Sequence, residues 1–214
     1  MPVIQLEDTQ LKDQTSTTLT FVLKQDKITV LFPLLQEGFQ VAAKVGCDIR
    51  SLLCDQFGLM PDYLANRIST IFLNGKPLDD VASSVIKDGS TLALSAAMPG
   101  LVGATFRKAG VLAAFRGSIT YQKEDDAQVT CHDGFVTMKL FNLLISEMGP
   151  LFLKRGIWVN GHVLREFLGM HQADVDSIFK ELKKDGIDLT PHQIADLAWV
   201  TRDARFFLQA TCEP

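Results

Sequence analysis

Thr70-Ile71-Phe72-Leu73-Asn74-Gly75-Lys76-Pro77-Leu78 carries the clearest structural instruction in the chain. Thr70 to Leu73 is an apolar run of strand length, and Asn74-Gly75 is among the strongest hairpin-turn dipeptides because both residues tolerate positive φ. Lys76-Pro77-Leu78 begins the return strand. Upstream, Phe39 to Val45 reads as a strand halted at Gly46-Cys47-Asp48. Asp48 is placed to N-cap a helix of about ten residues that buries Ile49, Leu52, Leu53 and Phe57 on one face and ends at Gly58. Downstream, Asp88-Gly89 marks a turn, and Thr91 to Ala97 forms a last strand ending at Met98-Pro99-Gly100. Before all of these, Leu19, Phe21 and Leu23 alternate with Thr20, Val22 and Lys24. After Gln25-Asp26-Lys27, the spacing of Ile28, Val30 and Phe32 predicts a second, paired strand.

The chain divides accordingly. Residues 1–17 are a polar arm and 18–100 a first domain of strand, strand, helix, strand, short strand, strand. Residues 101–117 are a linker helix with Phe106, Val111, Leu112 and Phe115 on one side and Arg107, Lys108 and Arg116 turned outward. Residues 118–214 form a smaller, mostly helical α+β domain, so the fold class is α+β throughout. Its predicted strands are Ser118 to Tyr121, Gln128 to Cys131, Phe135 to Leu140 and Ile157 to Val159. Helices are predicted over Phe141 to Glu147, broken by Gly149-Pro150 and resumed over Leu151 to Arg155, then over His162 to Leu168 and Asp174 to Lys184. A last one starts at the capping signal Thr190-Pro191-His192-Gln193 and runs to about Gln209. No internal sequence repeat links the halves.

Three motifs carry a family resemblance. Val45-Gly46-Cys47-Asp48-Ile49-Arg50-Ser51-Leu52-Leu53 resembles the strand-to-helix transition of the sulfur-carrier proteins of thiamine and molybdopterin biosynthesis. Ile71 to Leu78 resembles the third-strand hairpin of ubiquitin, and Ile86-Lys87-Asp88-Gly89-Ser90-Thr91-Leu92 the turn these proteins share before their final strand. The N-terminal half is thus similar to the ubiquitin-like β-grasp superfamily; residues 118–214 resemble no family. The resemblance implies a mixed β-grasp sheet with one main helix. In sulfur carriers it further implies a C-terminal glycine carboxylate activated by an adenylating enzyme. This chain departs from that pattern, since Gly100 is a single glycine where the family has a terminal Gly-Gly, and the chain continues beyond it.

Composition narrows the function classes. With 47% hydrophobic residues and 14 Phe the chain has material for a packed core, and a formal charge of −4 gives no overall attraction for phosphate backbones, so no nucleic acid is expected. No run approaches the ~18 apolar residues of a membrane span, and Met1 to Thr20 lacks a signal-peptide pattern, so a cytoplasmic location is expected. Cys47, Cys54, Cys131 and Cys212 include no C-x-x-C pair and suggest neither disulfides nor zinc.

Few residues invite chemistry. Cys131-His132 has the residue types of a nucleophile and base, but neighbours on a strand point to opposite faces. His162, His171 and His192 show no metal-ligand spacing. Gly100-Leu101-Val102-Gly103 before Arg107 and Lys108 matches no phosphate-loop pattern and reads as a turn. Glu124-Asp125-Asp126 reads as a solvated turn, and Trp158, Trp199, Phe206 and Phe207 as core or pocket lining. No catalytic, cofactor-binding or metal-binding residue is assigned and no cofactor is expected. The one segment singled out is Met98, Pro99 and Gly100, as a carrier tail or partner contact. The expected function is a non-catalytic β-grasp interaction or scaffold protein with a protein partner or a second copy of itself. The alternatives are a carrier or modifier cleaved behind Gly100, with an adenylating enzyme as partner, and a small-ligand-binding protein or enzyme with its site at the domain junction.

Overall fold

Apolar alternation makes strands here wherever a neighbouring strand completes them. A computed structural model describes residues 16–121 and 130–213. Strand β1 (Thr17–Leu23) buries Leu19, Phe21 and Leu23, and β2 (Phe39–Val45) buries Phe39, Val41, Ala43 and Val45. Strands β3 (Thr70–Leu73) and β4 (Lys76–Pro77) form the hairpin around Asn74 and Gly75, both at positive φ. Strands β5 (Thr91–Ser95), β6 (His132–Phe141), β7 (Ile157–Asn160), β8 (Phe179–Lys184), β9 (Ile187–Asp188) and β10 (Arg205–Cys212) follow.

All lie in one mixed ten-stranded sheet of order β4-β3-β5-β6-β2-β7-β10-β1-β8-β9, so the fold is α+β. The pairings repeat about its centre. From either outer edge inward they run antiparallel, antiparallel, parallel, antiparallel, and the halves meet at β2 and β7 through the single pair Gln40↔Trp158. The repeat lies in the pairing and not in the residues. The sheet also crosses the expected division of the chain, because β1 pairs with β8 and β10 while β6 lies between β2 and β5.

The helices are α1 (Phe32–Glu37), a π-helical segment Ser51–Gln56, α2 (Pro61–Asn66), α3 (Gly100–Phe106), α4 (Leu143–Arg155), α5 (Gly161–Met170), α6 (Val175–Ile178) and α7 (Pro191–Asp196). Asp48 caps the helical turn at residues 49–50 that runs into the π-helical segment, its carboxylate accepting from the Ser51 backbone N–H at 2.8 Å and the Ser51 hydroxyl at 2.9 Å. The core lies on one face of the sheet, where Phe152 of α4 meets Phe39 at 5.2 Å and Phe57 at 5.3 Å between ring centroids. The other face carries half-buried residues such as Gln40, Ala42, Phe135, Thr137 and Lys139.

Several expectations need correction. Ile28 to Phe32 is not a strand: Ile28–Leu31 is a 3-10 turn running into α1, where Pro33 suits a helix start and Leu31, Leu34 and Leu35 are buried at helical spacing. The helix predicted over Asp174 to Lys184 stops at Ile178, and Phe179–Lys184 becomes β8 because long-range pairing with β1 overrides the helix propensity of its Lys, Glu and Leu residues. The Thr190 capping box is made, with Gln193 N–H donating to Thr190 Oγ1 at 3.3 Å and Thr190 N–H to Gln193 Oε1 at 2.9 Å. Helix α7 nevertheless ends at Asp196, where Leu197 turns left-handed at φ 51°, and the alternating Phe206, Leu208 and Ala210 form β10. Ser118 to Tyr121 is irregular, and β6 begins only at His132, so Thr130 and Cys131 are outside it; Gln128 lies outside the described residues.

Helix α2 is tied to α4 through Glu147, which accepts from Tyr63 Oη at 2.6 Å and pairs with the Arg67 guanidinium. The Arg67 guanidinium, with the Tyr63 hydroxyl, holds the Glu147 carboxyl down at about 2 against an ordinary 4.5. A carboxyl whose folded pKa is depressed stabilises the fold above its unfolded pKa and loses that contribution as pH falls toward the folded value. Melting temperatures of the wild type and Glu147→Gln should therefore differ most at about pH 6 and converge as pH falls from the unfolded toward the folded pKa. A gap independent of pH would show that the tie acts through packing alone.

Candidate functional site

After β5 the chain does not leave the sheet as a loose tail. Gly100 is exposed at φ 74° and opens α3 behind Pro99. Three residues on, a Cβ at Gly103 would lie 1.8 Å from the Met98 carbonyl oxygen, so only glycine allows the helix to fold back this closely. Phe106 then stacks edge-on against Phe72 at 5.3 Å, Lys108 N–H donates to Ser69 O at 2.7 Å, and Tyr121 N–H donates to Pro77 O at 2.8 Å. Residues 96–121 thus form a strap across the outer face of β3 and β5.

Arg116 is the pin of this strap, and it corrects the expectation that it points outward: it is 1% exposed. Its guanidinium donates to Thr105 O at 2.7 Å, Thr120 Oγ1 at 2.9 Å, Arg107 O at 3.3 Å and the Asp79 carboxylate at 2.6 Å. Burial pushes the Asp79 carboxyl up, but the Arg116 guanidinium and the Ala109 N–H outweigh it and hold it below its ordinary value. Lys108 is also turned inward, with Nζ on Leu64 O at 2.8 Å, and burial lowers its pKa. Of the three basic residues only Arg107 is exposed.

Between the strap and the ends of β5 and β6 lies a cleft of about 320 Å³. Phe72, Ala93 and Ser95 lie along it on the strands, Met98 and Pro99 border it from the strap, and Phe141 and Asn142 close the far side. Asn142 has φ 55° and ψ −137°, an uncommon conformation held by its side-chain amide, which donates to Ser95 Oγ at 2.8 Å and to Ala97 O. Behind Ser95 stands its cross-strand partner Thr70, whose fully buried hydroxyl has no hydrogen-bond partner.

The structure therefore brings Met98 and Pro99 to a cleft and leaves Gly100 at the head of α3, outside the cleft lining. Cys131 and His132 are exposed at the start of β6, where His132 Nδ1 lies 3.0 Å from Thr130 O. His171 packs on Phe167 at 4.8 Å, while His162 and His192 are exposed. Among the described residues no cluster of His, Cys, Asp or Glu could hold a metal ion, and no helix is long and apolar enough to cross a membrane. Glu124-Asp125-Asp126 lies outside the described residues. Trp158, Phe135 and Phe207 meet on the outer sheet face where the halves join, with Arg205 over the Phe135 ring at 4.5 Å. Trp199 donates its indole N–H to Gln193 O at 2.8 Å.

Sequence reading missed Phe72, Ser95, Phe141 and Asn142 as cleft residues and Arg116 as a buried anchor. A signal existed for one of them: Asn142 stands between a strand pattern and a helix pattern, where asparagine tolerates positive φ. No family model matches the chain, nor does any curated protein or solved structure.

Removing the pin should free the strap before the sheet. Arg116→Ala removes the buried guanidinium that joins the Thr105 and Arg107 carbonyls, Thr120 and Asp79, and is expected to cost about 2 kcal/mol or more locally, roughly a 30-fold rise in amide hydrogen exchange across residues 105–120. Unchanged protection there would mean that Phe106 and the backbone bonds hold the strap without it.

Proposed function

We propose that the chain is a non-catalytic β-grasp interaction or scaffold protein whose strap is the surface offered to a protein partner. The β-grasp part rests on β2, β6, β5, β3 and β4: a mixed sheet with a parallel central pair, and a capped helix between β2 and β3, as the sequence resemblance implies. The strand beside β2 comes from residues 132–141 instead of preceding it. The second half has the same pairing order, with β1 in the place that β5 takes in the first.

The observation that carries the interaction reading is the strap's outer surface. Val111 is 96% exposed, Phe115 82% and Leu101 75%, with Val102 and Ile119 also exposed. Single exposed apolar residues are ordinary, but several on one short segment mark an interaction surface. Arg116 and the Gly103 contact fix the backbone beneath them, so a partner meets a preorganised surface and the ordering cost of binding is reduced. The carrier alternative requires a free Gly100 carboxylate, whereas Gly100 here leads into α3 and an anchored strap. That placement favours the interaction reading.

Intact-mass measurement of the protein from its native cells is expected to show no species ending at Gly100, because the chain there continues into α3 and the strap. A photo-reactive amino acid at position 115 should capture one predominant protein. Reconstituted with purified chain, that protein should bind at least about tenfold more weakly to Phe115→Asp. A fragment ending at Gly100 with a terminal oxygen replaced by sulfur would overturn the proposal in favour of a carrier, and equal binding by the variant would remove the strap from the interface.

A further inference from the structure

We infer that the cleft between β5, β6 and the strap is a binding site for a small, flat, apolar molecule carrying a single hydrogen-bonding group. Its volume of about 320 Å³ suits a bicyclic ring, standing at the small end of the ~300–1,000 Å³ span of ligand pockets. The lining residues include no Asp, Glu, Lys or Arg, which argues against a phosphate or carboxylate head group. Phe72 and Phe141 offer ring contacts, and Met98 adds a flexible, polarisable side chain suited to aromatic faces.

The polar groups gather at one end. Ser95 Oγ accepts from Asn142 and donates to Ala97 O over a long 3.3 Å. Thr70 stands directly opposite Ser95 in the antiparallel register, on the same side of β3 as Phe72. Its hydroxyl is 0% exposed and unpartnered, an uncommon condition for a buried polar atom that calls for an explanation. A ligand hydroxyl entering at this end donates to Ser95 Oγ, whose own hydrogen turns from Ala97 O to Thr70 Oγ1, while Ala97 O keeps the Asn142 amide. Occupied, the cleft leaves no polar atom at this end without a partner.

The test uses 2-naphthol and naphthalene as probes of the full chain. 2-Naphthol should bind saturably at one site by calorimetry and shift the Ser95, Met98 and Asn142 amide resonances. Ala93→Leu, or Ala93→Val should the larger variant not fold, fills the space between Phe72 and Phe141 and should weaken both probes at least about tenfold. Thr70→Val keeps the shape of the side chain and removes the orphan hydroxyl, so it should raise the melting temperature. It should also weaken 2-naphthol about fivefold while leaving naphthalene unchanged. Non-saturable binding, amide shifts confined elsewhere, full affinity in the Ala93 variants, or an unchanged affinity ratio in Thr70→Val would each overturn the proposal.

Discussion

The parallel register of β1 with β10, from Thr17 opposite Phe206 to Leu23 opposite Cys212, is the pairing on which the rest of the sheet depends. It brings together segments from opposite ends of the described chain and gives β8 its antiparallel partner. Without β1, β8 and β9 would lose their place in the sheet, and Leu19, Phe21 and Leu23 would leave the core. Such non-local pairing bears a large loop-closure entropy before it is rewarded. The reward is burial of an entire apolar face.

The same pairing scheme explains why the main helices lie on one side. Following strand directions through the sheet, β1 to β2, β2 to β3, β6 to β7 and β7 to β8 are all parallel crossovers. The first two move one way across the sheet from strands of one direction, and the last two move the opposite way from strands of the opposite direction. Both sets therefore have the same hand, and a shared hand places α1, the π-helical segment, α4 and α5 on a common face. The outer face is left to half-buried residues and, at one end, to the strap.

What the residues disclosed by themselves was local. Asn74-Gly75, Asp48 and the Thr190 capping box specify their turns through contacts a few residues away, and each formed as its chemistry dictates. Phe179 to Lys184 could not be read this way, because Lys-Glu-Leu-Lys-Lys favours a helix until β1 lies beside it. Ile28 to Phe32 misled for a related reason: the spacing fits two strand positions or one helical turn, and Pro33 decides for the helix. At the cleft, Met98 and Pro99 were singled out only as the segment that ends a strand, and Phe141 and Asn142 join them only through the parallel register of β5 with β6.

The edges of the sheet also limit how the protein can associate. β4 and β9 are two residues long, Pro77 contributes no N–H, and its carbonyl is taken by Tyr121. Short, interrupted edge strands are poor templates for adding another strand. Extension of the sheet by a partner is thus disfavoured at both ends, while one broad face is filled by helices. What remains is the outer face, where Arg116 fixes a strap that turns Val111 and Phe115 to solvent and borders the cleft with Met98 and Pro99. Strap and cleft share one anchored segment, so a molecule seated against Met98 and Pro99 and a partner docked on Phe115 would act on the same stretch of backbone.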